Sequence, residues 1–265
     1  MIKHYNSTRN TIVNRHTNGE LHSQCSFVST LEESSAWITV SPNDFRIQQA
    51  AMETYRSLHG EIGCLEFPEL VGMEAYLQAG SQLKIIFGPE QQEIRELFTE
   101  CIKGVIQSEP YLWIERDFQD QSAWIDHWYA VNDKSCYTFS HPTDVTEDWF
   151  VAPRSKNLFN RSYVVHIQKG KGRNVAKGIF IDPWHEISVC LVLDQQNVIV
   201  EASSAQIRVP AKICDKAAGS MQNLVGCNAY DLSKKDIAAF VGGPEGCTHL
   251  LEIVSDVCRT SRIAL

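Results

Sequence analysis

The sequence lacks the long apolar runs and the basic charge that would assign it to several common classes of protein. No stretch is apolar enough to span a bilayer, and residues 1–6 lack the apolar core of a secretory signal. The net charge of -8 and the pI near 5.6 disfavour a nucleic-acid backbone as partner. The one basic cluster, residues 169–173, is predicted to be a hairpin turn. We therefore expect a soluble cytoplasmic protein that binds neither membranes nor nucleic acid.

Closely spaced cysteine pairs and nucleotide-binding motifs are also missing. The nine cysteines are an odd number, and none stands in a Cys-x-x-Cys pair, which disfavours a disulfide framework and a zinc ribbon. The chain has no P-loop, no dinucleotide glycine fingerprint and no nucleophile elbow. No nucleotide cofactor is therefore expected, and any metal site must gather ligands that lie far apart in the sequence.

What the chain does contain is two copies of one pattern. The first includes Leu70-Val71-Gly72 and then Gly88-Pro89-Glu90, and the second includes Leu224-Val225-Gly226 and then Gly243-Pro244-Glu245. Such an internal repeat indicates two similar units. We predict a first, degenerate repeat over residues 1–107, an aromatic-rich connecting segment over 108–160 and a second repeat over 161–265. The predicted class is α+β, with two tandem copies of a small antiparallel sheet plus helices that pack pseudo-twofold.

Periodicity in the second copy predicts its strands and helices. Alternating apolar residues from Ile187 to Leu193 indicate a half-buried strand, and a second strand is expected over residues 198–209. A helix is predicted near residues 214–225, a shorter one behind a Ser233 cap, and a last one from Thr248 to about Ser261.

The connecting segment holds many aromatic residues and a predicted helix over residues 121–131. These aromatic residues are Tyr111, Trp113, Phe118, Trp124, Trp128, Tyr129, Tyr137, Phe139, Trp149 and Phe150. One interpretation is an apolar linker that covers the sheets. The other is a wall or lid of a pocket for a flat or apolar small molecule.

Two cysteines and a histidine of the second copy form the first candidate site. Cys214 and Cys247 are each predicted close to the N-terminus of a helix, where partial positive charge stabilises a thiolate, and His249 follows in the same turn as Cys247. Cys214, Cys247 and His249 are therefore predicted metal ligands for zinc or iron, with His185 or Cys227 as a fourth. The alternative is that these thiols are apolar filling, as expected for Cys101, Cys190 and Cys258.

A second candidate site is the turn that contains Asp182, His185 and Glu186. A histidine flanked by carboxylates at the end of a strand can act as a general base. The first copy has Glu32 and Glu33 in the matching turn and no histidine, which favours a function for His185. For Asp182 we favour a structural role in a polar hairpin turn.

The second copy resembles a bacterial family catalogued as a domain of unknown function, recognised by a cysteine, a Leu-Val-Gly and a Cys-Thr-His-Leu followed by an acidic residue. The residues that carry the resemblance are Cys214, Leu224-Val225-Gly226 and Cys247-Thr248-His249-Leu250-Leu251-Glu252. Members often accompany genes for the catabolism of aromatic or similar organic compounds, so the resemblance implies a small-molecule role. The first copy keeps Leu70-Val71-Gly72 but has no Cys-Thr-His-Leu.

A fainter similarity is to NifU-type iron–sulfur scaffold proteins. These also have a short antiparallel sheet, a cysteine that opens one helix and a Cys/His pair that opens the last. Asp182 and His185 occupy the region in which those scaffolds have a further cysteine, so the similarity does not extend to the scaffold function.

Three functions are consistent with these patterns. The first is a small-molecule enzyme of lyase, isomerase or hydrolase type that acts on an aromatic or carbonyl compound, with His185, Glu186, Cys247 and His249 as catalytic residues. The second is a metal-binding or iron–sulfur carrier without catalysis. The third is a ligand-binding or structural module. A small-molecule substrate is the expected partner, and a homo-oligomer is left open.

Overall fold

The computed structural model describes residues 3–58, 60–146 and 151–264. The chain divides into two compact units. The C-terminal unit consists of Met1–Ser7, His127–Trp149 and Ser162–Leu265, and the N-terminal unit consists of Thr8–Asp126 and Phe150–Arg161. The predicted connecting segment is thus divided between both units, and its Trp149 and Phe150 lie outside the described residues.

Each unit contains antiparallel strands and helices, which confirms the α+β class. The N-terminal unit has its strands in the order β5-β4-β3-β2-β1, and the C-terminal unit has the order β6-β7-β8-β9. The residues of β1 and β6 are divided between the units. The strands are β1 (His4–Arg15), β2 (Leu21–Ser29), β3 (Glu32–Val40), β4 (Ile47–Ser57), β5 (Gly63–Glu66), β6 (Asn157–Gln168), β7 (Asn174–Ile181), β8 (Glu186–Leu193) and β9 (Ile199–Arg208).

Both units contain helices. The α-helices are α1 (Ala79–Ile86), α2 (Gln92–Ser108), α3 (Gln121–Val131), α4 (Tyr137–Ser140), α5 (Lys234–Val241) and α6 (Thr248–Ala264). The described residues also include 3-10 segments, most of them three residues long. No helix within the described ranges has the length and apolar character needed to cross a membrane.

Several predicted elements are confirmed with small corrections. β8 alternates between buried and half-buried residues as expected, α3 has the predicted bounds, and Ser233 caps α5. The helix expected near 214–225 is a 3-10 run, Lys212–Leu224, and α6 ends three residues later than predicted, at Ala264 rather than Ser261. Cys101 and Cys258 are buried, but Cys190 is only half-buried because it lies on the less covered face of β8.

The two units share details of backbone hydrogen bonding. In each unit one strand, β4 or β9, begins with a residue that exchanges backbone hydrogen bonds with a later segment. That segment contains a Leu-Val-Gly in both units. The residues concerned are Ile47 with Gly72 and Met73 in the N-terminal unit, and Ile199 with Gly226 and Cys227 in the C-terminal unit. Gly72 and Gly226 both have a positive φ, of 86° and 90°, which favours glycine. The pseudo-twofold packing of the copies stays a prediction.

Candidate active site

A glycine in β7 brings α6 close to the sheet of the C-terminal unit. Ile253 and Val257 of α6 lie one helical turn apart, on the face that packs against β7. A Cβ atom on Gly178 would lie 2.6 Å from Cγ2 of Val257 and 2.8 Å from Cγ1 of Ile253. Both distances are shorter than real Cβ contacts, so a residue with a side chain would push the helix away.

The same close approach puts the first turn of α6 over the end of β7. His249 precedes Ile253 by one helical turn, and Phe180 follows Gly178 on the same face of the strand because successive residues alternate between faces. The rings of His249 and Phe180 have their centroids 5.0 Å apart. Asp182 continues this face beyond the strand, so helix and strand together bring His249 to the β7–β8 turn.

Asp182 organises that turn and also orients a histidine. Its Oδ1 accepts hydrogen bonds from the backbone N–H groups of Trp184 and His185, at 2.8 and 2.7 Å. The ring Nδ1 of His185 lies 3.0 Å from the same oxygen. A carboxylate only accepts hydrogen bonds, so the ring donates its Nδ1–H. The Asp182 side chain is fully buried and that of His185 is 13% exposed, so the pair reaches the surface at the imidazole.

His249 completes a three-residue cluster with this pair. The ring centroids of His185 and His249 are 3.9 Å apart, and one potential ligand atom from each of Asp182, His185 and His249 lies within 4.8 Å of the others. Phe180 is fully buried beneath both rings, with its centroid 6.2 Å from that of His185. Within the described part of the chain, this is the group of histidine, cysteine and acidic residues compact enough to hold a metal ion.

The turn that carries the cluster is held by an arginine. Nη1 and Nη2 of Arg208 donate hydrogen bonds to the carbonyl oxygens of Pro183, Asp182 and His185, at 2.6, 2.8 and 3.2 Å. Arg208 lies opposite Glu186 in the β8–β9 pairing. The backbone of the turn is therefore fixed on both sides of His185.

The predicted thiols lie in a group of their own. Cys214 acts electrostatically on Cys247, and Cys136, which was not among the predicted site residues, acts on both. Burial raises the pKa of Cys214, and it raises the pKa of Cys247 to about 12. This is opposite to the lowering expected at helix ends. Desolvation outweighs the hydrogen bond that the Leu250 N–H donates to the Cys247 sulfur at 3.4 Å.

Part of the connecting segment packs beside these thiols. The Tyr137 N–H donates to the Gly246 carbonyl at 2.9 Å, and the Thr248 hydroxyl donates to the Ser135 carbonyl at 3.0 Å. The Thr138 hydroxyl lies 3.0 Å from the Cys214 sulfur. Residues 135–138 therefore lie against the start of α6, in the same unit as the histidine cluster.

The structure thus separates the residues that the sequence grouped. His185 and His249 come together, as the two predicted sites suggested, and Asp182 joins them although only a turn role was expected for it. Glu186, Cys214 and Cys247 are not members of the compact group among the described residues. Cys227, the alternative fourth ligand, instead has its sulfur 3.9 Å from the Asn223 carbonyl. The sequence did contain a signal for the contact between α6 and the turn. His249 stands four residues before Ile253 and eight before Val257, which places it on the same face of the helix.

Residues 165–262 match the model of a family described as a protein of unknown function (DUF2889). The match lies within the predicted second repeat and spans all three residues of the cluster, and it confirms the resemblance of this part of the chain to an uncharacterised family. No curated protein and no solved structure matches the chain. The fainter similarity to NifU-type proteins stays a prediction.

Proposed function

We propose that this protein is a small-molecule enzyme of lyase, isomerase or hydrolase type, and that the Asp182–His185–His249 cluster is its reacting centre. The substrate would be an aromatic or carbonyl compound. The observation that carries the proposal is the pairing of a buried carboxylate with one imidazole and the close, tilted contact of a second imidazole with the first. Such groups can exchange protons with a bound molecule.

Asp182 would prepare His185 for proton transfer. Because Nδ1–H is held by the carboxylate, the neutral ring has its lone pair on Nε2, the atom that can accept a proton from a substrate. The two backbone N–H groups that bind the same carboxylate oxygen prevent Asp182 from turning away. His185 would therefore be the base, and Asp182 a positioning residue.

The start of α6 would stabilise negative charge that develops on the substrate. His249 is the second residue of this 17-residue helix, where the helix dipole places partial positive charge. An enolate or a tetrahedral oxyanion is stabilised by such an environment. The aromatic residues of the connecting segment that belong to this unit, among them Tyr137 and Phe139, support an apolar or aromatic substrate.

The proposal includes an internal duplication after which only the C-terminal copy kept the centre. It is supported by the matched hydrogen bonds at the two Leu-Val-Gly segments and by the equal length of α2 and α6, 17 residues each. Glu32 and Glu33 stand in the N-terminal unit where the C-terminal unit has His185 and Glu186.

The experiment is a turnover assay with the full chain and two probes, p-nitrophenyl acetate for hydrolysis and phenylpyruvate for keto–enol conversion. Wild-type protein should accelerate at least one of them. His185→Ala and His249→Ala should each lower kcat/KM about 10²–10⁴-fold, the range for loss of a general acid or base. His166→Ala is the matched control, because this half-buried histidine lies in the same unit on β6 and contacts Asn6 and His4 instead.

Equal rates in wild type and both histidine variants would contradict the proposal. Acceleration of neither probe would favour a second candidate, a metal-binding protein without turnover. The second candidate is favoured by the ligand types of the cluster, two imidazoles and a carboxylate within 4.8 Å.

A further inference from the structure

We infer that Asp182, His185 and His249 together bind one divalent first-row transition-metal ion. The inference rests on the same site as the proposed function and changes the role of His185 there from base to ligand. The ion would bind the Asp182 carboxylate and one ring nitrogen from each histidine.

The spacing of the Asp182 and His185 donor atoms fits an ion of this size, and the His249 donor atom lies within 4.8 Å of both. Two ligand atoms that each lie about 2.1 Å from one ion, in tetrahedral or octahedral geometry, are about 3 to 3.4 Å apart. The Oδ1 of Asp182 and the Nδ1 of His185 are 3.0 Å apart. The ion would replace the hydrogen between these atoms, and the displaced proton would move from Nδ1 to Nε2 of the ring, so no proton is gained or lost.

The donor types select the class of metal. Imidazole nitrogen suits zinc, iron, cobalt and nickel, whereas magnesium and calcium take nearly all their ligands from oxygen. Two histidines and one carboxylate leave coordination positions open, as catalytic sites require for water or substrate. A bound ion would polarise a carbonyl oxygen or activate a water molecule.

The surrounding charges set the expected strength of binding. The Asp182 carboxylate offsets one positive charge of the ion. The guanidinium of Arg208 at the turn carbonyls and the N-terminus of α6 both add positive potential. We therefore expect a single site of moderate affinity.

The cluster is held in place before any ion binds. Asp182 is fixed by two backbone N–H groups, the turn is fixed by Arg208, and both rings lie against the buried Phe180. Little reorganisation is then needed for binding, which is the condition for a functional metal centre.

The test is metal binding by the full chain after removal of metals with a chelator. Co²⁺ is titrated and followed by its visible absorption, and Zn²⁺ is used to displace it. Wild type should bind one equivalent of Co²⁺. His185→Ala, His249→Ala and Asp182→Ser should each weaken binding by more than about 100-fold, beyond the loss typical of residues that only orient a ligand.

Asp182→Ser keeps the turn intact in this test. The matching turn of the N-terminal unit has Ser29, whose Oγ accepts the N–H groups of Leu31 and Glu32, at 3.2 and 3.0 Å. A serine at position 182 can therefore replace the carboxylate as acceptor without its charge. Circular dichroism and thermal melting of each variant show whether a loss of metal reflects a loss of fold.

Two control variants decide between ligand sets. His166→Ala and the double variant Cys214→Ser/Cys247→Ser should bind Co²⁺ within about threefold of wild type. If the thiol variant loses the metal and the two histidine variants keep it, the ligands are the thiols and the inference is wrong. Several weak sites unaffected by any variant would indicate an adventitious ion only and would equally overturn it.

The same samples separate this inference from the proposed function. Turnover by the metal-free protein that is lost in His185→Ala, together with a failure to bind Co²⁺, would support the enzyme and contradict the metal site. If one equivalent of Co²⁺ binds at the three residues and neither probe is turned over, the metal site is supported and the proposed enzymatic function is contradicted.

Discussion

The β2–β3 turn of the N-terminal unit and the β7–β8 turn of the C-terminal unit have one backbone arrangement and different side chains. In each, an arginine on the strand after next donates to three carbonyl oxygens of the turn, and the first turn residue accepts two backbone N–H groups. The N-terminal turn uses Arg56 and Ser29, and the C-terminal turn uses Arg208 and Asp182. A neutral hydroxyl is therefore sufficient for this turn. The turn does not need the negative charge of Asp182. This charge interacts instead with the ring of His185.

The helices that follow show the same division. Near the middle of each, an acidic residue forms an ion pair with a basic residue three positions later: Glu100 with Lys103 in α2, and Asp256 with Arg259 in α6. At their starts they differ, because the second residue is Glu93 in α2 and His249 in α6. The features that both units share are structural, whereas the imidazoles at the turn and at the start of the last helix occur in the C-terminal unit alone of the two.

The strongest test of the difference between the two turns is to place the side chains of the N-terminal turn in the C-terminal turn. We expect Asp182→Ser/His185→Glu to keep the fold, because serine satisfies the same N–H groups and glutamate stands at the matching position in the other unit. Co²⁺ binding and turnover should fall about 10²–10⁴-fold, as for removal of a ligand or a base. Titration with Co²⁺ and rates with the two probes measure the effect.

The reciprocal variant, Ser29→Asp/Glu32→His, is the control. It should fold and should bind no second equivalent of Co²⁺, because α2 has Glu93 instead of a second imidazole near its start. Loss of fold in the first variant would show that the two turns are not equivalent. A new metal site in the second would show that a second imidazole at the helix start is not required.

The sequence predicted the elements of the C-terminal unit better than its site. Alternation over Ile187–Leu193 and the Ser233 cap depend on neighbours in the sequence, so they were predictable. Asp182 was not placed in the candidate site, because its proximity to a second imidazole depends on how closely α6 approaches β7. That distance is determined by Gly178, a single residue whose packing partners lie more than 70 positions away.

The pKa of the thiols differs from the sequence expectation for a related reason. A position near a helix N-terminus can be inferred from the chain, whereas the desolvation that raises the pKa of Cys247 depends on the segment around Cys136. The 3-10 run Lys212–Leu224 also has the spacing of apolar residues that suggests an α-helix, so its hydrogen bonding was not predictable.

In each unit a glycine allows a helix to pack closely on a strand. The glycine lies in the strand in one unit and in the helix in the other. In the C-terminal unit the glycine is Gly178 of the strand, and in the N-terminal unit it is Gly104 of α2, where a Cβ would lie 2.9 Å from methyl groups of Thr11 and Val13. We expect Gly178→Ala to lower the free energy of unfolding by about 2–3 kcal/mol, because the helix side chains must shift. Gly104→Ala should cost about 1 kcal/mol, because alanine favours a helix by about that amount and offsets part of the clash.

Urea unfolding followed by circular dichroism measures both changes. Gly80→Ala in α1 is the control, because nothing lies within 4 Å of a Cβ there, and it should be neutral or stabilising. Gly178→Ala should also weaken Co²⁺ binding, because a displaced α6 moves His249. A Gly178→Ala protein as stable as wild type would mean that helix and strand do not pack this closely.

The smallest expected difference concerns the first turns of α1 and α5, both of eight residues. Ser233 has extended backbone angles, with φ -74° and ψ 163°, and accepts the Asp236 N–H, whereas Gln78 has helical angles, with φ -85° and ψ -8°, and no side-chain cap. Ser233→Ala should therefore lower the free energy of unfolding by about 1 kcal/mol. Gln78→Ser should change it by only a few tenths of a kcal/mol, because a cap needs the extended backbone.

The cap also has a defined pH dependence. The Ser233 hydroxyl lowers the pKa of Asp236, so this contribution to stability is complete above the ordinary carboxyl range and is lost as the pH falls through the lowered pKa. The difference between wild type and Ser233→Ala should then shrink at acid pH. Urea unfolding at neutral and acid pH measures it. A difference that stays constant with pH would show that the hydroxyl caps the backbone without affecting the carboxylate. If Gln78→Ser stabilised the protein by as much as Ser233→Ala destabilises it, the backbone angles would not distinguish the two helix starts.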